Sequence, residues 1–131
     1  MKIGISSTGK DLDAQVDPRF GRCQYFLIVD TDTMNFESIS NESAMASGGA
    51  GIQAAQTIAK ADVEAVVTGN IGPNAFQTLN AAGIKVFTGA TGDVKEILNK
   101  FKKGEFKEVN SPSVGSHFGV KGGGFRRGRG L

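Results

Sequence analysis

The chain has 131 residues and a mass of 13.7 kDa, the size of one domain. It is 39% hydrophobic and 21% charged, enough apolar material for a core, and it holds no apolar run of roughly eighteen residues that could span a bilayer. Its single cysteine, Cys23, excludes an internal disulfide and a CxxC zinc site; residues 1–5 read as a strand with no signal peptide ahead of them, so a cytoplasmic location is expected.

The charge is unevenly spread. Residues 112–131 hold four of the fifteen basic residues, none of the thirteen acids and seven of the nineteen glycines. A mildly acidic body therefore carries a basic, glycine-rich tail.

In residues 2–6, Ile3 and Ile5 point the same way, as in a short strand. Residues 7–24 are polar and irregular, broken by Gly9, Asp17-Pro18 and Gly21. The apolar run Tyr25-Phe26-Leu27-Ile28-Val29 predicts a buried strand, the polar stretch 30–35 a turn, and residues 36–40 the return strand of a hairpin. After Gly48-Gly49-Ala50-Gly51 the spacing predicts a helix over 52–61, turned inward through Ile52, Ala55, Ile58 and Ala59. Residues 65–68 form the next buried strand. Pro73 opens a second helix with Ala75, Phe76 and Leu79 on its apolar stripe and Gly83 as its left-handed cap. Residues 84–87 give another strand. Asp93 and Glu96 have capping-box spacing ahead of Val94, Ile97, Leu98 and Phe101, and Lys102-Lys103-Gly104 ends that third helix. A hairpin unit followed by β/α alternation predicts a layered α/β domain with a mixed sheet of about five strands. Nothing periodic follows residue 110, so the domain is placed at 1–110 and a disordered Gly/Arg-rich tail at 111–131.

Several motifs fail on inspection. The stretch from Gly4 to Asp11 imitates a phosphate-binding P-loop, but Asp11 stands where the magnesium-binding Ser/Thr belongs, and no helix follows. Asp30, Asp32, Asp62 and Glu64 sit at turns rather than in mid-strand, so they do not make a two-metal nuclease site. No serine occupies a nucleophile elbow, and one cysteine and one histidine offer no acid/base pair, so a non-enzymatic protein is expected. The tail 122–130 has an RGG character, but it is short and holds one aromatic residue. It reads better as a solubilising end than as a nucleic-acid binder; the alternative is a module that binds a protein or nucleic acid through it.

The productive features are two glycine-rich turns and one loop. Gly48, Gly49 and Gly51 open one helix, and Gly69, Asn70 and Gly72 precede another; in an open α/β sheet such turns gather beyond the strand ends, where ligands bind. The loop Arg19-Phe20-Gly21-Arg22-Cys23 places two arginines beside the thiol, which would lower its pKa, or else Cys23 is a small buried hydrophobe ahead of a strand. Cys23 and His117 together could ligate a soft metal or cluster.

The segment Asp17-Pro18-Arg19-Phe20-Gly21-Arg22-Cys23-Gln24-Tyr25-Phe26, with the opening strand, the two glycine turns, Gly83-Ile84-Lys85-Val86 and Gly89-Ala90-Thr91-Gly92, resembles the dinitrogenase iron–molybdenum cofactor biosynthesis family over about residues 1–104. That family comprises NifX-, NifB C-terminal- and NafY-like domains. The resemblance implies a three-layer ribonuclease H-like fold without nuclease residues. It also implies carriage of an iron–molybdenum cofactor, its precursor or a related metal–sulfur cluster, with cluster donor and acceptor proteins as partners. The anticipated site joins the 19–23 loop to both turns, with charge from Arg19 and Arg22, a thiolate from Cys23 and N–H donors from the glycine backbones. Here Met45, Ala46 and Ser47 precede the first glycines, where relatives often carry a histidine.

Overall fold

The computed structural model describes residues 1–44 and 48–114. Along the chain these form β1 (Lys2–Ser7), β2 (Tyr25–Asp30), β3 (Phe36–Ser40), α1 (Ala50–Lys60), β4 (Ala65–Val67), α2 (Pro73–Ala81), β5 (Lys85–Phe87) and α3 (Val94–Lys102). The strands make one mixed sheet in the order β3-β2-β1-β4-β5. β1 and β3 flank β2 antiparallel, and β4 lies parallel to both β1 and β5.

Strand alternation sorts the core into two layers. On one face Phe26, Ile28, Val66 and Val86 meet Ala54, Ala55 and Ile58 of α1 and Ala75, Phe76 and Leu79 of α2. On the other, Ile3, Ile5, Leu27, Val29, Ala65 and Val67 meet Val94, Ile97 and Leu98 of α3. The result is the expected three-layer α/β domain with five strands. Gly4, between the two isoleucines, faces α1, where a Cβ would lie 3.0 Å from Cδ1 of Ile58; the helix seats directly on the backbone of β1. None of the described helices is long and apolar enough to cross a membrane.

Two local expectations are corrected. α1 starts at Ala50, and its inward stripe is Ala50, Ala54, Ala55 and Ile58, while Ile52 is 37% exposed. Small residues face the sheet, so the helix packs closely and the larger Ile52 is turned outward. At α3, Asp93 occupies the N-cap position but caps no first-turn N–H with its side chain. The N–H groups of Val94 and Lys95 donate instead to the carbonyls of Ala14 and Leu12, at 2.9 and 3.0 Å. Asp93 accepts from Gln15 Nε2. The irregular loop after β1 is thus folded back over the end of α3, where its carbonyls replace a side-chain cap.

Gly83 does take the left-handed conformation, with φ 76°, as the C-terminal signal of α2 requires. The outer edge of β5 is shielded because Glu108 bridges Phe87 and Val109 N–H donates to Val86 O at 2.9 Å. The chain then reaches back to the turn after β4, where Ser113 Oγ accepts from Ile71 N–H at 2.8 Å. Residues 115–131, including His117 and the Gly/Arg stretch, lie outside the described residues, as do Met45, Ala46 and Ser47.

The stripe on α1 is open to a direct comparison. Ile58→Ala should cost about 2–5 kcal/mol, whereas Ile52→Ala should change stability by only about 0.5 kcal/mol. Urea denaturation of both variants measures the difference; equal losses would place Ile52 in the core.

Candidate functional site

The C-terminal ends of the parallel strands are tied together by side-chain hydroxyls. Ser6 Oγ, at the end of β1, donates to the backbone carbonyl of Asp17 at 2.7 Å. Its only proton is spent there, so Thr68 Oγ1, 2.7 Å away, donates to Ser6. Both hydroxyls are fully buried. Beyond them the chain segments bridge as a short parallel pair at Arg19 and Asn70: Asn70 N–H donates to Pro18 O at 2.8 Å, and Phe20 N–H to Asn70 O at 3.3 Å. Only glycine fits beside this bridge. A Cβ on Gly69 would stand 2.6 Å from Cα of Pro18, inside any tolerable contact.

A second close approach joins the loop to the helices. A Cβ on Gly21 would lie 3.0 Å from Cα of Gly51 and 3.1 Å from its nitrogen, and a Cβ on Gly51 would lie 3.3 Å from Cβ of Ala75. The 19–23 loop and the first turns of α1 and α2 therefore touch one another. The N-cap residues are Gly49 and Gly72. Neither helix has a side-chain cap, and neither first turn carries an acid. Two positive dipole ends consequently meet beneath the loop without local neutralisation, each able to favour an anion by about 0.3–1 kcal/mol. Gly48 is exposed and a Cβ there would meet nothing, so packing does not demand a glycine at that position.

The remaining loop side chains divide into outward and inward groups. Arg19 is exposed, with Nε 3.4 Å from Oδ1 of Asp17. Arg22 is half-buried, and its Nη1 donates to Ala44 O at 3.1 Å, tying the loop to the chain ahead of α1. Phe20, anticipated as part of a binding surface, is 2% exposed and packs on Phe26 with ring centroids 5.1 Å apart. It anchors the loop in the core.

Cys23 is likewise inside. It is fully buried in the α1/α2 layer, with Sγ donating to Phe20 O at 3.4 Å. Burial, with the Asp17 carboxylate as the second cause, pushes its thiol up to about 12. The expectation that two neighbouring arginines depress this pKa is corrected: Arg19 lies against Asp17, Arg22 reaches the backbone of Ala44, and desolvation decides the sign. Of the two alternatives that the sequence left open, the small buried hydrophobe describes this cysteine.

Sequence reasoning missed Asn41 and Asp17. Asn41, 5% exposed just after β3, donates through Nδ2 to the carbonyls of Gly21 (3.2 Å) and Cys23 (2.8 Å), and so holds the loop from below. No local pattern announces that role. Asp17 bonds Arg19 N–H through Oδ1 at 2.9 Å, an Asx turn that the string Asp-Pro-Arg does suggest.

Among the described residues no three His, Cys, Asp or Glu side chains converge to hold a metal ion. The donor set at the turns is backbone N–H and guanidinium, suited to holding an anion by charge and hydrogen bonds rather than by ligation. A pocket of about 430 Å³ lies apart from it on the α3 side, lined by Phe87, Phe101 and Phe106 with Met1, Asp32 and Lys102 at its polar edge.

Comparison with known proteins bears on family and fold. The dinitrogenase iron–molybdenum cofactor family profile matches residues 1–104. The structure of the apo form of the orange protein from Desulfovibrio gigas is 42% identical and superposes with a TM-score of 0.84, covering 86% of this chain and 96% of that one. The solution structure of a Thermotoga protein proposed to be a NifB protein is 37% identical with a TM-score of 0.73, covering 86% of this chain and 98% of its own. An uncharacterised protein of Methanocaldococcus jannaschii is 32% identical over 112 residues, 82% of this chain and 95% of the relative. The five-stranded mixed sheet and flanking helices are the architecture shared with the orange protein. The chain belongs to the dinitrogenase iron–molybdenum cofactor family.

Proposed function

We propose that this protein binds and carries an anionic metal–sulfur cluster, the iron–molybdenum cofactor, its precursor or a related Fe/Mo–sulfur cluster, and passes it between donor and acceptor proteins without catalysing a reaction on it. The observation that carries this reading is the meeting of two uncapped, acid-free helix N-termini under the Gly21 loop, with the Arg19 guanidinium exposed nearby. Family membership supports it, as does a relative whose structure is that of an apo form, a state named for the lack of a bound group. Gly49, Gly51, Gly69, Asn70 and Gly72 shape the cradle, Arg19 supplies charge, and Gly21, Arg22 and Phe20 hold the loop over it. Cys23 contributes packing.

Anaerobic reconstitution with iron, sulfide and molybdate, followed by visible absorption and metal analysis, tests this directly. Wild type should gain a stoichiometric chromophore, Arg19→Glu should lose most of it, and Cys23→Ser should keep it because no thiolate is used. A colourless wild type would count against carriage of a cluster assembled in place. A chromophore lost in Cys23→Ser would return the thiol to the ligand set.

The buried thiol also predicts a pH dependence. Its folded pKa lies above that of an unfolded thiol, about 8.5. The thiol is neutral in both states below that pH and ionises first in the unfolded chain above it. Stability should therefore be unaffected by this group below about pH 8 and fall by up to about 1.4 kcal/mol per pH unit between about 9 and 12. Urea midpoints of wild type and Cys23→Ala across that range isolate the slope; parallel curves would mean that the thiol titrates normally.

A further inference from the structure

Asp17 is an acid whose surroundings give it a second use. Its side chain is 6% exposed, and its backbone is pinned to β1 on both sides: its N–H donates to Ser6 O at 2.9 Å and its carbonyl accepts from Ser6 Oγ at 2.7 Å. The carboxylate therefore has little freedom to move. Oδ1 accepts two hydrogen bonds, both from Arg19, one from the backbone N–H at 2.9 Å and one from Nε–H at 3.4 Å. Oδ2 has no partner among the described residues, and neither Nη group of Arg19 has one. With its side chain 46% exposed, Arg19 presents four N–H donors on the two Nη groups.

This is an unusual way to pair a buried carboxylate with an arginine. A pair built for neutralisation would engage both oxygens with the planar fork. Here the contact falls at Nε alone, where it restrains the guanidinium plane and leaves its distal edge open. We propose that Asp17 is a positioning residue that orients Arg19, so that both Nη groups are held ready for two adjacent acceptor atoms on one edge of a tetrahedral thio- or oxo-metal anion. This rests on the carrier reading above and names the group that recognises the cargo's edge.

Electrostatics supplies a test with opposite signs. On charge alone, Asp17→Ala removes a negative group beside an anion site and should tighten binding, whereas Asp17→Asn would keep the Oδ1 acceptor. If Asp17 positions Arg19, Asp17→Ala should weaken it. The probe is tetrathiomolybdate, a dianionic molybdenum–sulfur complex with its own visible chromophore, titrated into the full chain under anaerobic conditions.

The expected results are weakening of about fivefold or more for Asp17→Ala and for Arg19→Ala, and no further effect of Asp17→Ala in the Arg19→Ala background. Arg19→Lys keeps the charge at an exposed position but lacks the fork, so it should match Asp17→Ala and guards against a folding defect in the buried variant. Tighter or unchanged binding in Asp17→Ala, or an equal loss with and without Arg19, overturns the positioning role while leaving the carrier reading intact. A wild type that takes up no tetrathiomolybdate overturns this inference together with the recognition of a thiometallate at these turns.

Discussion

Pro18 lies so close to Gly69 that no Cβ fits between them, and that contact fixes where the loop before β2 can run. The approach is drawn tight by three hydrogen bonds, from Ser6 to Asp17, from Thr68 to Ser6 and from Asn70 to Pro18. A loop of this length would ordinarily sit away from the sheet, hydrated and variable. Here it is laid across the ends of β1 and β4, and that carries Gly21 onto Gly51. The convergence of loop, α1 and α2 follows from that docking. A side chain at residue 69 would lift the loop and separate Gly21 from Gly51 at the start of α1.

The chemistry of the cradle is set by a contest between desolvation and charge, and the outcome differs by residue. At Cys23 desolvation prevails, so the thiol stays protonated and behaves as an apolar filler in the layer that holds Phe20 and Phe26. At Asp17 the carboxylate is buried too, yet Arg19 gives it a charged partner on the same short loop. The helix ends have no such compensation, because Gly49 and Gly72 bring no side chain to their N-caps. Positive potential thus survives where backbone N–H groups emerge, while the nearest soft ligand is kept out of reach.

Much of this was legible in the sequence, and the failures share a cause. Strand and helix positions followed from apolar periodicity and from Pro73 and Gly83, whose backbone demands are local. The glycine turns were placed correctly at the strand ends for the same reason. Ile52 was misassigned because periodicity in an alanine-rich helix barely distinguishes neighbouring stripes; packing against Gly21, Ala75 and the sheet chose the smaller residues. Asp93 sits at the right place with the wrong partner, since the carbonyls that cap α3 come from Leu12 and Ala14, some eighty residues earlier. The Cys23 environment also depends on distant groups: the α1/α2 layer buries it and Asn41 bonds its carbonyl, and neither is visible from the two arginines beside it. Local rules succeeded where the backbone decides and failed where tertiary contact does.

If the protein is the carrier proposed above, it must release what it holds, and this bears on the missing thiolate. Coordination through cysteine would tie release of a cluster to a ligand exchange at sulfur, whose rate depends on thiolate supply and access. The two dipole ends and the arginine proposed as its holding groups make no covalent bond. Their hold weakens with salt and is displaced when an acceptor offers stronger ligands. On that proposal, burial of Cys23 has a sense beyond packing, since a competing soft ligand at the turns would trap the cargo. The fold supplies an anion-favouring surface while keeping its one thiol among the described residues neutral and enclosed.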